Sequence, residues 1–221
     1  MRYIIKEFAI VVLAQSNNPT ILNKDFLRTN KICPYELEPI AESILCTPAV
    51  SKIEFKNGIS IFVDTDKISF TNISVKTLND YTFLSDIAIS YLETLPHVKY
   101  TALGTNFTGH FEELSSNNVK EFLLEKFFSE KAWGKTNPPS SSLTLNFAYK
   151  RDNIRFNINL GQGALKDANG SLKELLFLKA NCHRDLLSPP VSPFIDAIKD
   201  WEKTKNQFID IINDIFEIGE N

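Results

Sequence analysis

Polar side chains that can bind, orient or move a proton recur at every second position in the later part of this chain. Asn106, Thr108 and His110 alternate with Phe107 and Phe111, and Thr144 and Asn146 with Leu145 and Phe147. Arg155, Asn157 and Asn159 alternate with Phe156 and Ile158, and Lys179, Asn181 and His183 with Ala180 and Cys182. In extended backbone, successive side chains leave opposite faces, so each run sends its apolar members one way and its polar members the other. Asn is depleted in strands, so local propensity does not account for its concentration here. One account is a hydrogen-bonding platform for a ligand, a nucleic acid strand or a partner, with Asn106, His110, Asn146, Arg155, Asn157, Asn159, Asn181 and His183 as its candidate residues. The other is a solvated sheet face in an Asn-rich chain.

Catalytic constellations are harder to find. The histidines His97, His110 and His183 are of the right type for general acid–base work near neutrality, and Glu112 or Glu113 lies close to His110 in sequence. No Gly-x-Ser-x-Gly nucleophile signature is present, and no His-x-x-x-His spacing suggests a metal. Cys182 and His183 are adjacent on an expected strand, which sends them to opposite faces and spoils a thiol–imidazole dyad. Asp64 and Asp66 read as residues of a hairpin turn, and Gly161-Gln162-Gly163-Ala164 as a loose turn. The expectation is no metal, no cofactor and, on balance, no enzyme.

The elements that would carry these residues follow from hydrophobic periodicity. Residues 3–15 end in the β-branched run Ile10-Val11-Val12 and read as a strand. Asn18-Pro19 opens a short helix, and a second is expected over 36–45. Three strands fill 51–73, with a type I′ hairpin expected at Asn57-Gly58. Thr77 to Asp80 has the form of a capping box, and a long helix runs from there to Pro96. A strand over 100–111, a helix over about 116–130 and a loop at Asn137–Ser142 follow. Strands over 143–149, 154–160 and 172–183 then lead to a final helix with Ser192 as cap and Pro193 at its first position. The order strand, helix, three strands, long helix thus occurs twice. It predicts one α+β domain over 1–221 with pseudo-repeat halves 1–96 and 97–221, built as two curved antiparallel sheets or one continuous sheet with the long helices on one face.

The final helix has a broad apolar stripe: Phe194, Ile198, Trp201, Phe208, Ile212 and Ile215, widened by Ile209 and Phe216. A core-facing helix is the plain reading. The sharper one is that Trp201, Phe208, Ile209, Ile212, Ile215 and Phe216 reach a second copy or a partner, because exposed apolar surface of that extent is a liability.

Length and composition set the outer bounds. At 221 residues and 43% hydrophobic, with 23% charged, the chain can bury a core without disulfides or a structural metal. A formal charge of −3 removes the strongest electrostatic argument for nucleic acid or an anionic membrane and leaves room for a local basic patch. Cys33, Cys46 and Cys182 are odd in number and far apart, which suits a reducing cytoplasm. The apolar run Phe8 to Ala14 is too short to span a bilayer. Asn18-Pro19-Thr20-Ile21-Leu22-Asn23-x-Asp25-Phe26-Leu27, Leu95-Pro96-His97, Leu103-Gly104-x-Asn106 and His110-Phe111 resemble segments of a group of uncharacterised bacterial proteins of similar length. The resemblance covers about the first half, implies a bacterial cytoplasmic protein, and singles out Pro19, His97, Gly104, Asn106 and His110 without giving them a role. The functional expectation is a non-enzymatic binding or assembly module that associates with itself or a partner protein. Its alternative is a small-ligand binder or enzyme with a pocket between sheet and long helix that involves His110 or His183. A third reading is single-stranded nucleic acid on the open sheet, contacted by Asn, Arg155 and Lys179, against which stand the acidic balance and the lack of outward aromatics; no membrane partner is expected.

Overall fold

The computed structural model of the chain describes residues 1–34, 36–112, 118–128, 143–166 and 170–217. Its strands are β1 (Arg2–Gln15), β2 (Leu45–Cys46), β3 (Val50–Glu54), β4 (Ile59–Asp64), β5 (Lys67–Asn72), β6 (Lys99–Glu112), β7 (Thr144–Arg151), β8 (Ile154–Lys166) and β9 (Leu172–Asp185). Its helices are α1 (Lys24–Thr29), α2 (Leu78–Thr94), α3 (Val119–Phe127), α4 (Ser192–Lys199) and α5 (Trp201–Phe216). The strands form one sheet in the order β2-β3-β4-β5-β1-β6-β9-β8-β7, and every pairing in it is antiparallel. The doubled order of elements is therefore doubled in space. β1 stands beside β5, β4 and β3 as β6 stands beside β9, β8 and β7, and β1 pairs with β6 at the centre. Of the two arrangements open to the sequence, the continuous sheet is the one formed.

All the described helices lie against one face. Phe8 of β1 and Phe107 of β6 stack at 5.5 Å, and Phe107 stacks on Phe208 of α5 at 5.4 Å with nearly parallel rings. Tyr81 of α2 stacks on Trp201 of α5 at 4.8 Å, so the long helices of the two halves meet over the central strands. α1 joins this layer through Phe26 on Tyr91, and α3 through Phe122 on Phe216. The period-two pattern follows directly. Phe8, Ile10 and Val12, with Ile68 and Phe70, and Phe156, Ile158 and Leu160 face the helices and are buried. Arg184 is on this inner face too, at 6% exposure, and donates to the Ala197 carbonyl at 3.1 Å and the Thr204 hydroxyl at 2.7 Å. It fastens β9 to the elbow at Asp200, where the expected single final helix is broken into α4 and α5. Ser192 is the first helical residue of α4 and not its cap.

Local chemistry explains the other departures. Residues 36–45 form no α-helix. Pro39 lacks the N–H a helix interior needs, and the segment lies along β3 instead, with Ile40 donating to Glu54 at 2.8 Å and a 3₁₀ turn at Ala41–Ser43. Asn18-Pro19 opens only a 3₁₀ turn, Pro19–Ile21, and Asn23 caps α1 after it. The Asn57-Gly58 hairpin has one positive φ, +86° at Gly58, and Phe55 accepts from Gly58. That is a turn closing in a bulge, since type I′ needs positive φ at both residues. Gly161 and Gly163 are strand residues of β8 and not a turn. At Gly109 the β1–β6 register shifts between Ile5 and Glu7, and a Cβ there would stand 2.1 Å from the Ile4 carbonyl oxygen, so only glycine permits the approach. The Asn137–Ser142 loop, Glu113 and the ends of the expected 116–130 helix lie outside the described residues.

The apolar stripe of the final helix is consumed by the chain's own sheet. Trp201, Phe208, Ile212 and Phe216 are at most 7% exposed, and Ile209 and Ile215 are half-buried against the same core. Burial of Trp201, Phe208, Ile212 and Phe216 takes these four out of the expected oligomer interface, since a sheet of nine strands draws on them to cover it; Ile209 and Ile215 remain partly exposed at its edge. Ile212→Glu should place a carboxylate in a closed apolar layer and cost at least about 3 kcal/mol of stability, measured by urea unfolding.

Candidate functional site: the open face of the sheet

The face opposite the helices carries the polar residues that alternation predicted, and strand register decides which of them meet. Asn106, Asn181 and Asn157 stand directly opposite one another on β6, β9 and β8. Asn181 Nδ2 donates to Asn106 Oδ1 at 2.7 Å, and Asn157 Nδ2 to Asn181 Oδ1 at 3.4 Å. One row further, Lys179, Asn159 and Asn146 are aligned on β9, β8 and β7, and Asn159 donates to Asn146 at 2.7 Å. Each Asn is held by its neighbour. At the two ends of this row, Asn106 Nδ2 and Asn157 Oδ1 take no hydrogen bond among the described residues, which leaves one donor and one acceptor for another molecule.

On the other side of the Asn row, Lys150, Arg155 and His183 are aligned on β7, β8 and β9. His183 is half-buried, and its Nε2 lies 2.9 Å from Asp185 Oδ1. That hydrogen bond, the His183 charge and the nearby Arg155 hold the Asp185 carboxyl below its ordinary range. Cys182, the adjacent residue, points to the core and is 1% exposed, as the alternation requires.

His110 differs from the rest of its face. It is 4% exposed, opposite Ile4 and Phe177, with the Phe177 ring 5.9 Å away. Phe177 leans over Gly163, where a Cβ would meet the ring at 2.4 Å. The glycine makes room for an outward aromatic that covers the histidine. Nδ1 of His110 has no hydrogen-bond partner among the described residues, and Nε2 is 3.8 Å from Glu112. Burial pushes the imidazole below its usual value, Lys6 and Lys173 push the same way, and Glu112 opposes them.

His110 and His183 share the open face without sharing a site. His110 is opposite Phe177 and His183 opposite Gly104, six residues along β6, or about 20 Å. Neither looks toward the helices, so a pocket between sheet and long helix has no histidine wall. Three depressions lie elsewhere, around Pro34 beside α1 and α2, with volumes of about 380, 330 and 360 Å³. Arg28, Cys33, Phe83 and Asp86 line the one of about 380 Å³. Arg28 belongs to α1 and Phe83 and Asp86 to α2, while Cys33 lies between elements where no period marks it. Burial pushes the Cys33 thiol up to about 12 and the Cys182 thiol up further, away from thiolate chemistry. Among the described residues no group of three metal-binding side chains comes together, and no helix is long and apolar enough to cross a membrane. His97 is exposed at the end of α2, and Pro19 is buried in its 3₁₀ turn.

No family model, no curated protein and no solved structure matches the chain.

His110 makes one consequence measurable. The unfolded chain binds its proton near pH 6.5 and the folded one only below that, so falling pH favours the unfolded state. Stability should be full above about pH 6.5 and decline as pH drops through that value toward the lower folded pKa. Urea midpoints at about pH 7.5 and pH 5 should differ less in His110→Gln than in the native chain.

Proposed function

We propose that this chain is a non-enzymatic binding or assembly module, and that it holds a second copy or a partner protein on the open face of its sheet. The observation that carries this reading is segregation. The described helices lie on one face and bury the apolar stripe there, while the other face presents side-chain amides already fixed by one another. Pre-ordered donors and acceptors lose little entropy on binding, which is what a recognition surface gains from such bonds. Asn106, Asn146, Asn157, Asn159 and Asn181 are its centre, with Arg155 and His183 on one flank. His110 belongs to its support, since it is covered. Three free thiols, with Cys46 exposed, favour a reducing cytoplasm as the setting.

Site-specific photo-crosslinking in the cells that make the protein tests this directly. A benzophenone side chain at Asn159 on the open face should give discrete adducts, whether with the same chain or another protein. The same group at Glu202, exposed on the outer side of α5, should not. Adducts from Glu202 and none from Asn159 would place recognition on the helix layer and overturn the reading.

A further inference from the structure

We propose that the β7–β8–β9 quarter of the open face receives an acidic, extended segment of a partner protein, and this rests on the open face being the binding face. Charge is distributed unevenly in this chain. Its total is −3, yet neither the eight residues of β7 nor the thirteen of β8 include a carboxylate, while Lys150, Arg151, Arg155 and Lys166 are cationic. Arg151 is on the inner side and is paired to Asp214 at 3.1 Å. Lys150 and Arg155 are on the open side, directly opposite one another, and Lys179 stands on the next strand beside Asn159. All three are exposed, and none has an ion pair among the described residues. Like charges directly opposite in an antiparallel pair are destabilising. The fold keeps this opposition where a single carboxylate would relieve it.

The carboxylate that does lie near, Asp185, is hydrogen-bonded to His183 at the end of β9 and attracts Arg155 only from beyond ion-pair distance, and neither Lys150 nor Lys179 is paired to it. Between Lys150–Arg155 and Lys179 runs the Asn106–Asn181–Asn157 row, and Asn159 and Asn146 stand level with Lys179; their amides match the N–H and C=O groups of an extended peptide. A carboxylate-bearing segment laid across the strands would neutralise Lys150, Arg155 and Lys179 and find amide partners between them. A nucleic acid strand is a poorer fit, because the outward ring of this quarter, Phe177, is spent over Gly163 and against His110, which leaves it unavailable for base stacking.

Fluorescence anisotropy with a labelled glutamate-rich decapeptide, its glutamine counterpart and labelled oligodeoxythymidylate tests the assignment. The glutamate peptide should bind, weakening as salt rises, and the glutamine peptide should bind at least about tenfold more weakly. Lys150→Glu and Arg155→Glu should each cost about tenfold, while Lys52→Glu on the other half of the same face should leave binding unchanged. Thermal melts of the same variants check folding, and Lys150→Glu should melt higher than the native chain because it converts a repulsion into a cross-strand ion pair. Equal binding of the two peptides, or indifference to Lys150 and Arg155, would overturn the acidic partner. Tighter binding of the oligonucleotide would overturn it in favour of nucleic acid. Either result leaves adducts from Asn159 as an independent test of the face itself.

Discussion

The antiparallel pairing of β1 with β6 joins residues about a hundred positions apart, and the rest of the molecule is arranged around it. Each strand carries a three-strand meander on its far edge, and each meander returns to a helix that lies over the same side of the sheet. The aromatic column from Phe8 through Phe107 to Phe208 pins the pair from that side. With the helices committed to one face, the other is left to polar chemistry. Both the burial of α5 and the exposure of the Asn rows follow from the same joint.

Where alternation was clean, the sequence was sufficient to place residues by face. Phe156 against Asn157, and Cys182 against His183, fall on the sides their parity demands. What alternation could not reveal was depth. His110 has the parity of an exposed residue, yet Phe177 covers it, and the space for that ring comes from a glycine on another strand. Pairing register, which brings Gly163, Phe177 and His110 together, is a non-local property. The Asn106–Asn181–Asn157 chain depends on it equally: three separated asparagines become a bonded row only once β9 is known to lie between β6 and β8.

The apolar width of α5 was legible, but its purpose was not. A stripe wider than one sheet normally requires suggested a second copy, since the number of strands under the helix was unknown. The break at Asp200 was similarly hidden, because it depends on Arg184, a residue whose inward parity looks unfavourable until the Ala197 carbonyl and the Thr204 hydroxyl are seen to receive it. The irregular segment before β3 was misread for a related reason. Its backbone bonds go to a sheet edge that no local pattern announces.

The central joint also has a meaning for the order in which the chain is made. Synthesis delivers β1, its meander and α2 well before residues 99–112 exist. During that interval β1 is paired on one side by β5 and bare on the other, with Phe8 lacking both Phe107 and Trp201. An unfinished sheet with an open middle edge is a template for adding the wrong strand. The nascent chain is therefore most exposed to misassembly just before β6 emerges, and a helper that shields a strand edge would have its greatest effect on this protein at that moment.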